Sequence, residues 1–278
     1  MSTAVSLTGG RGEWLRRASG VARYVLTCWK LNLAAAMEYR LSFFMLAGMM
    51  FVNNAIWLVF WAVFFHRFPA VNGWELRDVM LLWGISAGGF GWANVLFGNF
   101  TRIASIVANG ELDVFLTQPK PLLINVLVSG MSLTAIGDFL FGVVIYALVG
   151  EHTLIGAAKY ALGLAISGLL FLFVTLAAGT LAFFFGHAEG VALQLFNALV
   201  SFSTYPADIF KGTVRIVLFT VLPAGFISYA PIGLLRRFDA SFVWFAAAAV
   251  AAFGLLAVFL FHAGLRRYTS GNRIAMRG

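Results

Sequence analysis

The stretch Asn109-Gly110-Glu111-Leu112-Asp113-Val114-Phe115-Leu116-Thr117-Gln118-Pro119-Lys120-Pro121 decides how the rest of the chain is read. It combines both signs of charge, a turn-forming Asn-Gly pair and two prolines, and long apolar runs flank it on either side. Charged groups and turn backbone have no partners in hydrocarbon, so this segment meets water, a headgroup layer or another protein. Several of the surrounding runs exceed the ~18 residues read as a membrane span.

The composition agrees. Of 278 residues, 61% are apolar and 11% charged, against about 25% charged in soluble domains. The sequence therefore predicts an all-α polytopic membrane protein. Its net charge of +8 does not indicate a nucleic-acid partner, because the basic residues gather at the ends of apolar runs, where they set topology and meet anionic headgroups. Cys28 is the sole cysteine, which rules out an intrachain disulfide. Residues 1–41 carry six basic residues without a contiguous apolar core, unlike a secretory signal peptide.

Residues 13–36 read as an interfacial amphipathic helix. Leu15, Ala18, Ala22, Val25, Leu26, Trp29 and Leu33 share one face, and Arg16, Arg23 and Lys30 line its flank. A first span is expected over 42–65 with Asn53 and Asn54 in its middle, where amides need partners or a wet pathway. A second runs over 79–100, and its Gly84, Gly88, Gly89 and Gly91 permit close helix approach; Asn94 and Asn99 lie toward its inner end. A third follows Pro121 over 122–149 and holds Asp138, an ionisable group at a depth where such residues mark function or a neighbour's hydrogen bond. A fourth covers 160–185.

Two apolar segments, 191–205 and 214–229, compete to be the fifth span, and Pro206, Pro223 and Pro231 punctuate that region. Breaks of this kind fit re-entrant helices buried in protein. The last span runs over 241–261, ahead of a basic tail. With six spans, the side carrying both termini and the 101–121 loop holds 14 Lys and Arg against 5 if 214–229 crosses, and 12 against 7 if 191–205 does. Either split puts both ends and that loop in the cytoplasm. The domain reading is a tail and helix over 1–41, a six-span domain over 42–262 and a tail over 263–278.

No Gly-x-x-x-x-Gly-Lys-Ser/Thr loop occurs, so the chain shows no site to cradle ATP. His66, His152, His187 and His262 are scattered, without metal-site spacing. No catalytic residue, metal or cofactor is assigned to this chain.

Two motifs carry a resemblance. One is Gly110-Glu111-Leu112-Asp113 followed by Phe115-Leu116-Thr117-Gln118-Pro119. The other runs from Tyr205-Pro206 through Ile209-Phe210, Arg215 and Leu222-Pro223-Ala224-Gly225-Phe226 to Tyr229 and Pro231. Gly137-Asp138 adds to them. Together they resemble the permease subunits of type-2 ATP-binding-cassette exporters, in the branch described as ABC-2 family transporter proteins. Gln118 departs from the pattern, which more often has Arg there.

The resemblance implies that 101–121 is a coupling helix docking on a separate ATPase, with Gly110, Glu111, Leu112, Asp113, Phe115, Leu116 and Pro119 as its working residues. It makes the amphipathic helix a connecting helix, 188–205 the fifth span, and 206–238 a set of re-entrant helices. Tyr205, Pro206, Pro223, Tyr229 and Pro231 would then belong to an outer gate. Asn53, Asn54, Asn94, Asp138, Gln194 and Asn197 are candidates for the pathway or for polar contacts within it. Two ATPase copies carrying ATP and Mg, and a second permease that is identical or related, would complete the unit in the bacterial inner membrane, in contact with its lipids. An ion-gradient-driven transporter and a non-transporting scaffold remain open. The substrate is not readable, though the aromatic, apolar spans suit a hydrophobic or amphipathic cargo.

Overall fold

The computed structural model describes residues 9–185, 188–206, 209–236 and 240–269. Regular structure among them is helical apart from one antiparallel bridge between Val71 and Trp74. The chain runs through α1 (Gly9–Glu38), α2 (Arg40–Arg67), α3 (Leu76–Leu96), a 3-10 turn (Gly98–Arg102), α4 (Ile103–Ala108), α5 (Leu112–Leu116), α6 (Leu122–Val128), α7 (Thr134–Val149) and α8 (Leu154–Gly179). There follow α9 (Ala188–Ser203), α10 (Thr213–Thr220), a π turn (Gly225–Tyr229), α11 (Ala230–Arg236) and α12 (Ala240–Leu265).

Among the described residues four helices are long and apolar enough to cross a membrane: Arg40–Arg67, Leu76–Leu96, Leu154–Phe183 and Val243–Leu265. A fifth crossing is added if Thr213–Thr220 and Gly225–Arg236, bent by 62° at their junction, form one broken span. The helices α7 and α9 have 16 residues each. At about 1.5 Å per residue each reaches about 24 Å, short of the ~30 Å hydrocarbon core.

The expected single span over 122–149 is interrupted between α6 and α7, for a local reason. Asn99 inserts there, its Nδ2 donating to the Val126 carbonyl and the Ser129 hydroxyl, both at 2.9 Å. The Gly98 amide donates to the Gly130 carbonyl at 3.1 Å. Gly130 tolerates this because any Cβ there would run into the Asn99 side chain. Backbone freed from the helix is thus re-satisfied by a neighbour, as broken membrane helices require.

Glycines on α3 do what their spacing predicts. A Cβ on Gly142 of α7 would lie 2.7 Å from the Gly84 carbonyl oxygen and 2.8 Å from the Gly88 Cα, so α3 and α7 touch backbone to backbone.

Three apolar clusters hold the bundle. One, at the end carrying 109–121, joins Phe100, Ile103, Ile106 and Leu112 to Leu176 of α8 and Phe261 of α12. A second, at the opposite end, packs Trp61, Phe65, Trp74, Leu82 and Ile145 around Ile232 of α11. Between them, Leu170, Phe171, Leu199, Leu218, Ala224 and Ile227 seat α10 and the π turn against α8 and α9.

Only Tyr39 separates α1 from α2. The α1 residues turned toward the bundle are Val21, Tyr24, Val25, Cys28, Trp29, Asn32 and Ala36. The expected apolar face is offset from this stripe, and Ala18, Ala22, Leu26 and Leu33 of it are exposed. The helix therefore has a protein face with polar anchors beside an apolar outward one. Periodicity detects the second and hides the first.

Candidate functional site

Two places gather the residues singled out in the sequence. The first is the 101–121 segment. After α4, Gly110 takes the left-handed conformation (φ 72°), which turns the chain into α5. The side chain of Leu112 is fully buried in the apolar cluster at this end. Burying a leucine is worth about 1.5–3 kcal/mol, enough to pin so short a helix. Phe115 packs on the same cluster. On the outward side Val114 and Leu116 are exposed, with Thr117, Gln118, Pro119 and Lys120 following. Glu111 is exposed and lies 3.7 Å from Arg102.

The two acids therefore differ. Glu111 is at the surface, whereas Asp113 is half-buried and turned toward Tyr268, just beyond α12. Burial, and then this carboxylate, push the Tyr268 phenol up to about 12.

A polar chain ties α1 to this element. The Tyr24 hydroxyl donates to Asn125 Oδ1. Asn125 Nδ2 donates to Gln118 Oε1 at 2.9 Å, and Gln118 Nε2 to the Val114 carbonyl at 3.3 Å. Lys120 Nζ sits 3.5 Å from the centre of the Tyr24 ring. Beside it, Trp29 Nε1 donates to the Leu96 carbonyl at 2.7 Å and Asn32 Nδ2 to the Val128 carbonyl at 2.9 Å. Burial and the adjoining Cys28 push the Tyr24 phenol up to about 12. In this chain Gln118, the departure from the expected motif, is spent on an internal contact.

The second place is a cavity of about 440 Å³ among α2, α3, α7, α8 and α9. Asn53, Asn54, Asp138 and Asn197 all line it. Asn54 Nδ2 donates to Asp138 Oδ1 at 2.6 Å and also reaches the Met50 carbonyl at 3.1 Å. Gly137 brings α2 and α7 this close, since a Cβ there would overlap the Ala47 carbonyl and lie 3.0 Å from the Phe51 amide nitrogen. The pair Gly137-Asp138 thus supplies the close approach and the group that exploits it. Asn94 and Gln194 are not among the lining residues: Asn94 is buried farther along α3, and Gln194 faces outward on α9.

Ser86 also lines this cavity, within Gly84-Ile85-Ser86-Ala87-Gly88. That spacing matches a nucleophile elbow, but the residues lie inside α3, and an elbow needs a strand-to-helix turn.

A family model for ABC-2 family transporter proteins matches residues 51–272. The chain belongs to that family. No curated protein and no solved structure matches it. The match covers the 101–121 segment, the cavity and the region after Tyr205 together.

In this ABC-2 protein the residues expected near an outer gate are dispersed around one end. Tyr205 sets its ring 6.0 Å from that of Trp61. Pro206, Pro223 and Pro231 are buried. A Cβ on Gly163 of α8 would stand 3.1 Å from Pro231. Tyr229 ends the π turn, and its side chain lies outside the described residues.

The strongest polar contact at this end went unread in the sequence. Arg236, at the end of α11, donates through Nε to Asp78 Oδ1 at 2.8 Å and pairs through Nη2 with Asp78 Oδ2. It also donates to the Gly73 carbonyl at 2.8 Å and lies 4.8 Å from the Trp74 ring centre. Its partners are 158 and 163 residues away, and no local spacing rule links such positions.

Proposed function

We propose that this ABC-2 transporter family protein is the permease of an ATP-driven exporter, coupled through residues 101–121 to a separate ATPase that carries ATP and Mg. The observation that carries this reading is the build of the segment itself. Leu112 anchors it in the bundle, while Val114 and Leu116 stand exposed beside Glu111. Such an element is rigid on one side and adhesive on the other, as a part that transmits a push must be. The docking contact is then apolar at its centre with Glu111 at its rim, where a carboxylate accepts charge-assisted hydrogen bonds from Arg or Lys. Asp113 shapes the element from inside by facing Tyr268.

On this reading the bundle crosses six times, through α2, α3, the broken α6–α7 pair, α8, α9 and α12. The segment from α10 to α11 re-enters from the outer side. The end with 109–121 and both termini is cytoplasmic, in a bacterial inner membrane, and α1 lies along the interface as the connecting helix. Two ATPase copies and a second permease, identical or related, complete the unit. The exposed apolar face of α2, including Phe44, Met49, Val52 and Ile56, supports contact with lipid or that second permease.

The test is Val114→Asp with Leu116→Asp in the full chain. Both side chains are exposed, so the protein folds and inserts as before, while stimulation of the partner's ATP hydrolysis falls at least tenfold. Wild-type stimulation in this variant removes the segment from the coupling role.

A further inference from the structure

Asp138 is 2% exposed and lines the central cavity. Its Oδ1 is taken by Asn54, but its Oδ2 has no hydrogen-bond partner among the described residues. Trp83, 7% exposed, lines the same cavity, and its Nε1 is likewise without a partner. Buried polar atoms are nearly always paired, so two unpaired ones on a single cavity ask for a ligand. A role in helix packing accounts for Oδ1, which ties α2 to α7, and leaves Oδ2 and Trp83 unexplained.

The walls narrow the chemistry. No Lys, Arg or His occurs among the described lining residues, so the carboxyl has no internal counter-ion. Of the other lining residues six are aromatic and six are uncharged polar groups. Trp57 and Trp83 stack with centres 5.9 Å apart, and Phe90, Phe171 and Phe196 close the other sides. Ring faces attract cations, most strongly where water is excluded. The volume, about 440 Å³, is that of a small-molecule site. A second cavity of about 350 Å³ shares Trp57 and Tyr205 with the first and continues along Trp61 and Phe64 to Trp74. An elongated apolar body has room there.

We propose that this cavity is a cargo site for an amphipathic cation, its positive head against Asp138 and its apolar or aromatic body along the Trp57–Trp83 wall. An anion would face an uncompensated carboxyl. Calling the ligand cargo rests on the permease reading; the existence of the site does not.

The experiment compares two probes of nearly the same shape and opposite charge, tetraphenylphosphonium and tetraphenylborate. Their binding to the full chain, with any partners that co-purify, is measured by equilibrium dialysis in phosphatidylcholine nanodiscs, with empty discs subtracted. Saturable binding of the phosphonium and not of the borate is expected. Asp138→Asn keeps an acceptor for Asn54, and it weakens phosphonium binding at least tenfold; Trp83→Phe weakens it several-fold. Equal binding of the two ions by wild-type protein, or undiminished phosphonium binding by a folded Asp138→Asn protein, overturns the proposal. The wild-type comparison stands even where the variant fails to fold. Charge-selective binding without a co-purifying ATPase leaves the site and removes the exporter, whereas an ATPase without charge-selective binding does the reverse.

Discussion

Replacing Asp78 by Asn opens the clamp between α11 and the turn ahead of α3, and the structure sets the size of the effect. Arg236 makes two contacts to the Asp78 carboxylate, one to the Gly73 carbonyl and one to the Trp74 ring. Hydrogen bonds to charged groups contribute about 1.5–3 kcal/mol each when well shielded. Here the Arg236 side chain is 37% exposed and that of Asp78 14%, so solvent screening lowers the sum, and the whole clamp is worth about 1–3 kcal/mol.

The substitution is chosen to spare the helix. Asp78 also accepts from the Glu75 amide at 2.9 Å as part of a capping box, and Asn retains an oxygen for that bond. What is lost is the charge pairing. Because the Arg236 contacts to Gly73 and Trp74 survive, the loss is about 1–2 kcal/mol, which raises the open population about 5- to 30-fold. Hydrogen–deuterium exchange reads that population directly where reclosing is fast. Exchange of the Val71 and Trp74 amides, which bond each other's carbonyls across the turn, and of the α11 amides rises within that range. Unchanged exchange at both places would refute the clamp, and a rise confined to the first turn of α3 would show that only the cap had been damaged.

Asn125→Leu cuts the chain from Tyr24 to Gln118 and leaves the Tyr24 hydroxyl without its acceptor. It loosens α1 by about 1–3 kcal/mol, so Cys28, the sole thiol and half-buried on the same face, reacts with maleimide several-fold faster. An unchanged rate would remove the link between α1 and the 101–121 segment. In alkaline titration Tyr24 and Tyr268 ionise near pH 12 rather than 10. Their raised values mean that the stability they add is complete below pH ~10 and is lost as the pH climbs through ~12. Tyr268→Phe abolishes its share of that late phenolate step, and a wild-type protein whose tyrosines all ionise near 10 would contradict the burial seen beside Asp113.

The readable parts of this chain were those with a local physical signature. Apolar runs marked the long helices, Gly84 and Gly88 marked a close helix contact, and Asn109-Gly110 with Pro119 and Pro121 marked the segment that leaves the bundle. Asn53, Asn54, Asp138 and Asn197 were legible one at a time, because a polar side chain in an apolar run stands out. That they meet in one cavity while Asn94 and Gln194 do not depends on helix rotation and on Gly137, which sequence spacing alone does not fix.

Other features left no signal. The break between α6 and α7 is made by Asn99, about 30 residues upstream. The bond between Gln118 and Asn125 hides in residues that read as loop and span. The two acids of the 101–121 segment look equivalent in sequence, and only the position of Tyr268 assigns one inward and the other outward.

The most direct test of the central claim is a gentle-detergent purification of the tagged full chain from its native membrane, with mass spectrometry of what accompanies it. The account predicts a stoichiometric soluble subunit bearing a Gly-x-x-x-x-Gly-Lys-Ser/Thr loop, lost when Val114 and Leu116 are both replaced by Asp. A clean assembly of this chain alone, with no ATPase at any stoichiometry, would contradict it.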